Sequence, residues 1–126
     1  MSKSILIIII LFCMNALAEV KKEGGTVLVE GGVLEGKGYE SGCYVKPAIA
    51  EAENHFEIVQ HETFAPILYL MKYKGGVENA LELQNGVVQG LSSAIMTNNL
   101  REAEHFLSHQ GSDCGIANVN IGTSGA

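Results

Sequence analysis

The sequence predicts an α/β fold with mostly parallel strands and incomplete helix cover. Three observations carry this. Short β-branched or apolar runs recur between glycine punctuation, as in Thr26–Glu30 and Leu91–Met96. Helical spacing lies between such runs, at Val77, Ala80, Leu81 and again at Leu100, Ala103, Leu107. From Pro66 onward the order is strand, helix, strand, helix, strand, which favours parallel pairing.

Taken in order, Ala16 to Gly25 reads as the end of an amphipathic helix stopped by Gly24-Gly25. Thr26–Glu30 (TVLVE) is a strand, and Gly36–Gly42 (GKGYESG) a loop. Cys43–Ile49 is extended, with Pro47 demoting it to an edge or interrupted strand, because proline donates no ladder hydrogen bond. Glu51–His61 is polar and irregular. Pro66–Tyr73 (PILYLMKY) alternates, with Ile67, Tyr69, Met71 and Tyr73 on one face. A helix from Val77 closes at Asn85-Gly86. Leu91–Met96 is a short strand. Asn99 and Glu102 form a capping pair for the next helix, which Gly111 ends. Gly115–Ile121 is a final strand with Ala117, Val119 and Ile121 on one face. A parallel sheet needs helices on both faces, and this chain supplies two good ones after residue 20. The sheet therefore reads as a slice of a larger domain.

With 126 residues, 47% hydrophobic and 17% charged, the chain is globular in composition and one domain at most. Eight basic against 14 acidic residues give a net charge of −6 with no basic stripe, which argues against a nucleic-acid binder. Cys13, Cys43 and Cys114 have no metal-type spacing and no CxxC occurs. His105 and His109 stand at i, i+4, but no HExxH pattern accompanies them; they read as a solvated pair, and no metal site is expected.

The N-terminus carries two messages. Lys3, the run Ile5–Met14 and Ala16-Leu17-Ala18 fit a secretory signal, too short for a comfortable membrane span. The same Ala16–Ala18 stretch also belongs to the helix ending at Gly24, and a helix interior makes a poor cleavage site. The preferred division is an apolar leader over 1–15, signal-like or foreign, and a folded segment over 16–126. That gives a cytoplasmic location, with secretion as the alternative.

Four segments in order carry a family resemblance. Glu62-Thr63-Phe64-Ala65-Pro66 resembles the Glu-x-Phe-Gly-Pro motif of aldehyde dehydrogenases, with Ala65 in the glycine position as in the antiquitin branch. Gly42–Pro47 resembles that family's Gly-x-Tyr/Phe-Val-x-Pro strand, and Gln89–Ile95 its Gly-Leu-Ser-Ser strand. Gly111–Ile121 with Thr123–Ala126 is similar to the antiquitin-like counterpart. The resemblance covers roughly residues 16–126 and implies part of an aldehyde dehydrogenase catalytic domain.

What the resemblance implies can be placed residue by residue. Glu62 would accept the ribose hydroxyls of NAD and Phe64 would pack against its nicotinamide. A carboxylate can take two charge-assisted hydrogen bonds from a diol. Gly125 and Ala126 would begin the loop whose backbone N–H groups hold the far carboxylate of the substrate. In the family the cysteine nucleophile and glutamate base lie upstream of the Glu-x-Phe motif, so no catalytic residue is expected among these. The parent would be a homotetramer oxidising a small-molecule aldehyde, α-aminoadipic semialdehyde of lysine breakdown above all, without a metal. The alternative is a secreted, non-catalytic interaction domain derived from a dehydrogenase segment.

Overall fold

A computed structural model describes residues 3–124, with side chains described from residue 11 onward. The chain divides into two units, Met1–Lys72 and Tyr73–Ala126.

The first unit is built on a long helix, α1 (Lys3–Lys22), which runs without a break through residues 15 and 16. It ends where the glycines predict. Gly24 takes φ +99 and the amides of Gly24 and Gly25 return to the carbonyls of Lys21 and Val20. The left-handed backbone suits a residue without Cβ. Among the described residues no helix is long and apolar enough to cross a membrane.

A three-stranded sheet follows, in the order β1 (Thr26–Val29), β4 (Ala48–Glu51), β5 (Ile67–Leu70). β1 and β4 pair antiparallel, β4 and β5 parallel. Beside it, β2 (Gly32–Val33) and β3 (Val45–Lys46) form a short antiparallel ladder. Cys13, Leu17 and Val20 recur at i, i+4, i+7 along α1 and bury against Ala48 and Ala50, with Val27, Ile67 and Tyr69 packed alongside. Alanines in the central strand leave room for the helix. On the opposite face Leu28, Leu68 and Leu70 remain exposed, the incomplete cover expected from the sequence.

Pro47 interrupts the extended segment as expected, but β4 is the central strand and not an edge. The proline lies just outside it, and the strand's first amide, that of Ala48, is taken by the Pro66 carbonyl at 2.8 Å. The supposedly irregular stretch before His61 holds a single-turn helix, α2 (Glu57–Gln60).

The second unit contains α3 (Val77–Asn85), β6 (Ser92–Ile95), α4 (Leu100–Leu107) and β7 (Ile116–Val119). β6 and β7 are parallel and joined through α4, the crossover that parallel strands require. Leu81, Ala103 and Phe106 are its buried apolar side chains. Parallel pairing is thus found at β4–β5 and β6–β7.

Three local expectations need correction. Leu100, Ala103 and Leu107 share one side of α4 by spacing, yet Leu100 and Leu107 are exposed, 73% and 53%. Phe106 takes the inner position with Ala103, because its ring removes more apolar area from water. Asn99 does cap α4, but by accepting the Arg101 amide, while Glu102 accepts from the Thr97 hydroxyl in place of closing a capping box. Ile121 does not continue the face of β7: Asn120 turns left-handed, φ +57, and Ile121 is 62% exposed.

Candidate functional site

Glu62 and Phe64 stand on the segment that joins α2 to β5. Its ends are fixed by backbone chemistry. The Ala65 amide donates to the Thr63 carbonyl at 2.7 Å and the Ile67 amide to the Ala65 carbonyl at 2.8 Å, two successive i to i+2 turns centred on Phe64 and Pro66. Pro66 has no N–H to lose at the second turn, and its carbonyl docks onto β4 through Ala48. Ala65 packs against the core beneath α1, and Thr63 is half-buried. Glu62 and Phe64, which alternate with them, point the other way. Glu62 is exposed and Phe64 is 76% exposed at the apex of its turn. No hydrogen bond to the Glu62 carboxylate occurs among the described residues, so its lone pairs are free for a ligand.

The approach to this segment is held from α1. The carboxylate of Glu23 accepts the amides of Glu57 and Ile58 at the start of α2, and the His61 Nδ1 donates to the Glu57 carbonyl at 2.8 Å. A cleft of about 300 Å³ opens here, lined by Glu19, Glu23, Glu57, Ile58 and His61. Glu62 and Phe64 are not among its lining residues. Sequence reasoning missed Glu23, for which the only available signal is an acidic residue next to the helix-stopping glycines.

Gly125 and Ala126 lie outside the described residues, so the segment proposed to hold a substrate carboxylate is seen only up to Ser124.

The cysteines are free thiols in separate settings. Cys13 is buried on the core face of α1, and burial pushes its pKa up, opposite to what a reactive thiolate needs. Cys43 donates from Sγ to the Ser41 carbonyl at 3.5 Å, and Cys114 precedes β7. His105 lies within α4, but the helix stops at Leu107, so His109 falls outside it and the two do not form a chelating pair on one helix. Among the described residues no group of three or more His, Cys, Asp or Glu is placed to hold a metal ion.

Comparison with known proteins places the chain in a family. The model of the aldehyde dehydrogenase family matches residues 12–126. The alpha-aminoadipic semialdehyde dehydrogenase of Rattus norvegicus is 49% identical over 114 residues, 90% of this chain and 20% of that protein. An aldehyde dehydrogenase family 7 member A1 of Pisum sativum is 43% identical over 112 residues, 89% of this chain and 21% of its own. Among solved structures, 3,6-anhydro-L-galactose dehydrogenase in complex with NAP superposes with a TM-score of 0.76 at 29% identity, over 90% of this chain and 23% of that one. The chain spans about a fifth of the length of the curated relatives it matches.

Proposed function

The chain belongs to the aldehyde dehydrogenase family, and from that premise we propose that it is a segment of an enzyme oxidising a carboxylate-bearing semialdehyde to the acid with NAD. α-Aminoadipic semialdehyde, an intermediate of lysine degradation, is the favoured substrate, supported by the 49% identity to the rat enzyme named for it. NAD(P) use is a property of the family, and the relative solved in complex with NAP supports it. Residues 12–126, the stretch that the family model matches, are the dehydrogenase segment. Gly125 and Ala126 begin the loop for the substrate's far carboxylate, and the parent assembles as a homotetramer.

One observation carries the cofactor role: the segment 61–66 turns Thr63 and Ala65 inward and leaves a free carboxylate at Glu62 and a free ring at Phe64. Glu62 would accept both hydroxyls of the nicotinamide ribose, and Phe64 would limit the positions of the nicotinamide. Once bound, the nicotinamide supplies the hydride acceptor. No other chemistry falls to these two residues. The nucleophile and the base belong to another part of the parent, since Cys13 is buried and neither Cys43 nor Cys114 lies on this segment. The 126 residues alone therefore bring no turnover.

A cytoplasmic location is favoured over secretion by what α1 buries. Ala16 is 1% exposed and Cys13 and Leu17 belong to the core beneath the sheet, so cleavage near Ala18 would strip the sheet of its helix.

The test is NAD titration of the longer enzyme carrying this segment. Glu62→Gln and Phe64→Ala are expected to weaken NAD binding about tenfold each while unfolding free energy stays within about 0.5 kcal/mol. Unchanged NAD affinity in both variants would remove the cofactor role. A second arm follows nicotinamide absorbance with the 126-residue chain, NAD and a panel of aldehydes, where measurable turnover would contradict the placement of the nucleophile elsewhere.

A further inference from the structure

The pair Asn85-Gly86 closes α3, and the proposed function makes no use of it. We propose that Asn85 is a spontaneous modification site: its side-chain amide is a latch between α3 and the loop that feeds β7, and deamidation releases that latch. In the 126-residue sequence Asn85 alone among the asparagines is followed by glycine. A glycine places no side chain in the way of its own backbone nitrogen, and asparagine amides are among the chemically labile groups of proteins.

The latch is read directly from the contacts. Asn85 Nδ2 donates to the Gly111 carbonyl at 2.8 Å, and Asn85 Oδ1 accepts the Asp113 amide at 2.9 Å. Gln84, the preceding residue, donates to Ser112 Oγ at 2.7 Å, and that hydroxyl lies 2.6 Å from Ser93 Oγ on β6. Three consecutive residues, 111 to 113, are therefore held by the last turn of α3. Gly86 is held more loosely, its amide reaching the Leu83 carbonyl at 3.3 Å, and both Asn85 and Gly86 are exposed.

The chemistry balances with water alone. The Gly86 backbone nitrogen gives up its proton and attacks Asn85 Cγ. The bond from Cγ to the side-chain nitrogen breaks and ammonia leaves. The resulting succinimide ring adds one water and opens to aspartate or to its isoaspartyl isomer. Nothing is oxidised or reduced. Either product removes the Nδ2 donor and turns a carboxylate oxygen toward the Gly111 carbonyl. The new negative charge also sits at a helix C-terminus, where the helix dipole disfavours it. The isoaspartyl form adds a methylene to the main chain at the same point.

The fold opposes the attack. While Asn85 is helical and both ends of its amide are bonded, its side chain is not free to swing onto the Gly86 nitrogen. Conversion then proceeds through local opening of the last turn, and its rate reports that opening.

Peptide mapping of the full chain by mass spectrometry tests this, in buffer and in concentrated guanidinium. Conversion should appear at Asn85 before any other asparagine, about tenfold slower in the folded chain than in the denatured one. Gly86→Ala should slow it about tenfold in denaturant, where only the chemistry differs, and leave the native melting temperature unchanged. The Asp113 amide keeps an acceptor oxygen after conversion and is freed only because the carboxylate is repelled by the Gly111 carbonyl; its exchange should rise about fivefold in the aged wild-type chain and in Asn85→Asp alike. An Asn85→Asp chain that fails to fold, beside a Gly86→Ala chain that folds, would support the latch as well. Equal rates folded and unfolded, another asparagine converting first, or unaltered Asp113 exchange in the converted chain would each overturn it.

Discussion

The Glu23 carboxylate accepts the backbone amide of Glu57 at 2.6 Å, and its second oxygen accepts that of Ile58 at 3.2 Å. The single-turn helix α2 has no side-chain cap of its own, because its N-cap residue is Phe56. One turn is far below the length at which a helix holds by itself. An acidic residue beyond the end of α1 thus holds a turn 34 residues away, and that turn delivers His61 and Glu62 to the exposed segment. Glu23→Ala should cost about 1–2 kcal/mol of unfolding free energy in urea titration, as the loss of a charged N-cap does. Glu23→Gln keeps one acceptor oxygen and should fall between. Equal midpoints for all three chains would show that the contact contributes nothing.

Two adjacent glycines separate space from backbone strain. A Cβ at Gly25 would stand 2.5 Å from Val20 Cγ1 and 2.7 Å from the Glu51 carbonyl oxygen. Gly25→Ala should therefore cost about 1–3 kcal/mol, an overpacking penalty between α1 and β4. Gly24 faces open space but takes φ +99, so Gly24→Ala should cost about 1 kcal/mol through conformation alone. Thermal unfolding of the two variants ranks them, and a larger loss at Gly24 would contradict the packing argument.

The legibility of the fold follows the range of its interactions. The end of α1 and the strands at Thr26, Ile67, Ser92 and Ile116 were marked in the sequence by glycines and by apolar alternation, signals that act over a few residues. The turn at Glu57 was not, because its cap comes from Glu23. Of the two readings of Pro47 the interruption holds and the edge position does not, for a related reason: the amide next to it finds Pro66, a partner that only the fold brings near. On α4 the spacing alone favoured Leu100 and Leu107, whereas Phe106 had the greater apolar area to bury. Glu62 and Phe64 were legible only through resemblance. An exposed acid and an exposed ring carry no periodicity, and what distinguishes them is the inward turn of Thr63 and Ala65.

Alkaline pH should reveal the groups under α1. Burial raises the pKa of Cys13 above its ordinary 9.0 and that of Tyr69 above 10.0; the Tyr69 hydroxyl is buried without a well-formed hydrogen bond, and the Thr63 side chain nearby only partly offsets its desolvation. Both hold their protons more tightly folded than unfolded. Their contribution is therefore complete below pH 9 and declines as pH rises toward the folded values. Tyr69→Phe removes a buried and poorly satisfied hydroxyl, so it should be neutral or stabilising by up to about 1 kcal/mol at pH 7. It should also flatten the loss of stability above pH 10. A Phe variant that loses stability at pH 7 would mean that the hydroxyl has a partner.

Asn120 ends the last parallel pair by acting twice. Its backbone amide continues the ladder to the Ile95 carbonyl at 2.8 Å, while its side chain accepts the Thr97 amide at 2.9 Å and donates to the Thr97 carbonyl at 2.9 Å. The side-chain amide thus imitates one further strand residue, at the point where φ +57 has turned the main chain away. Asparagine tolerates that conformation better than other residues with a Cβ. The two contributions separate in a pair of variants. Asn120→Gly relieves the backbone and loses only the Thr97 bonds, about 1–2 kcal/mol. Asn120→Ala loses the same bonds and adds the left-handed penalty, about 1 kcal/mol more. Chemical denaturation of the two chains measures the difference, and an alanine variant as stable as the glycine one would show that the strand end relaxes out of the left-handed region when the amide is gone.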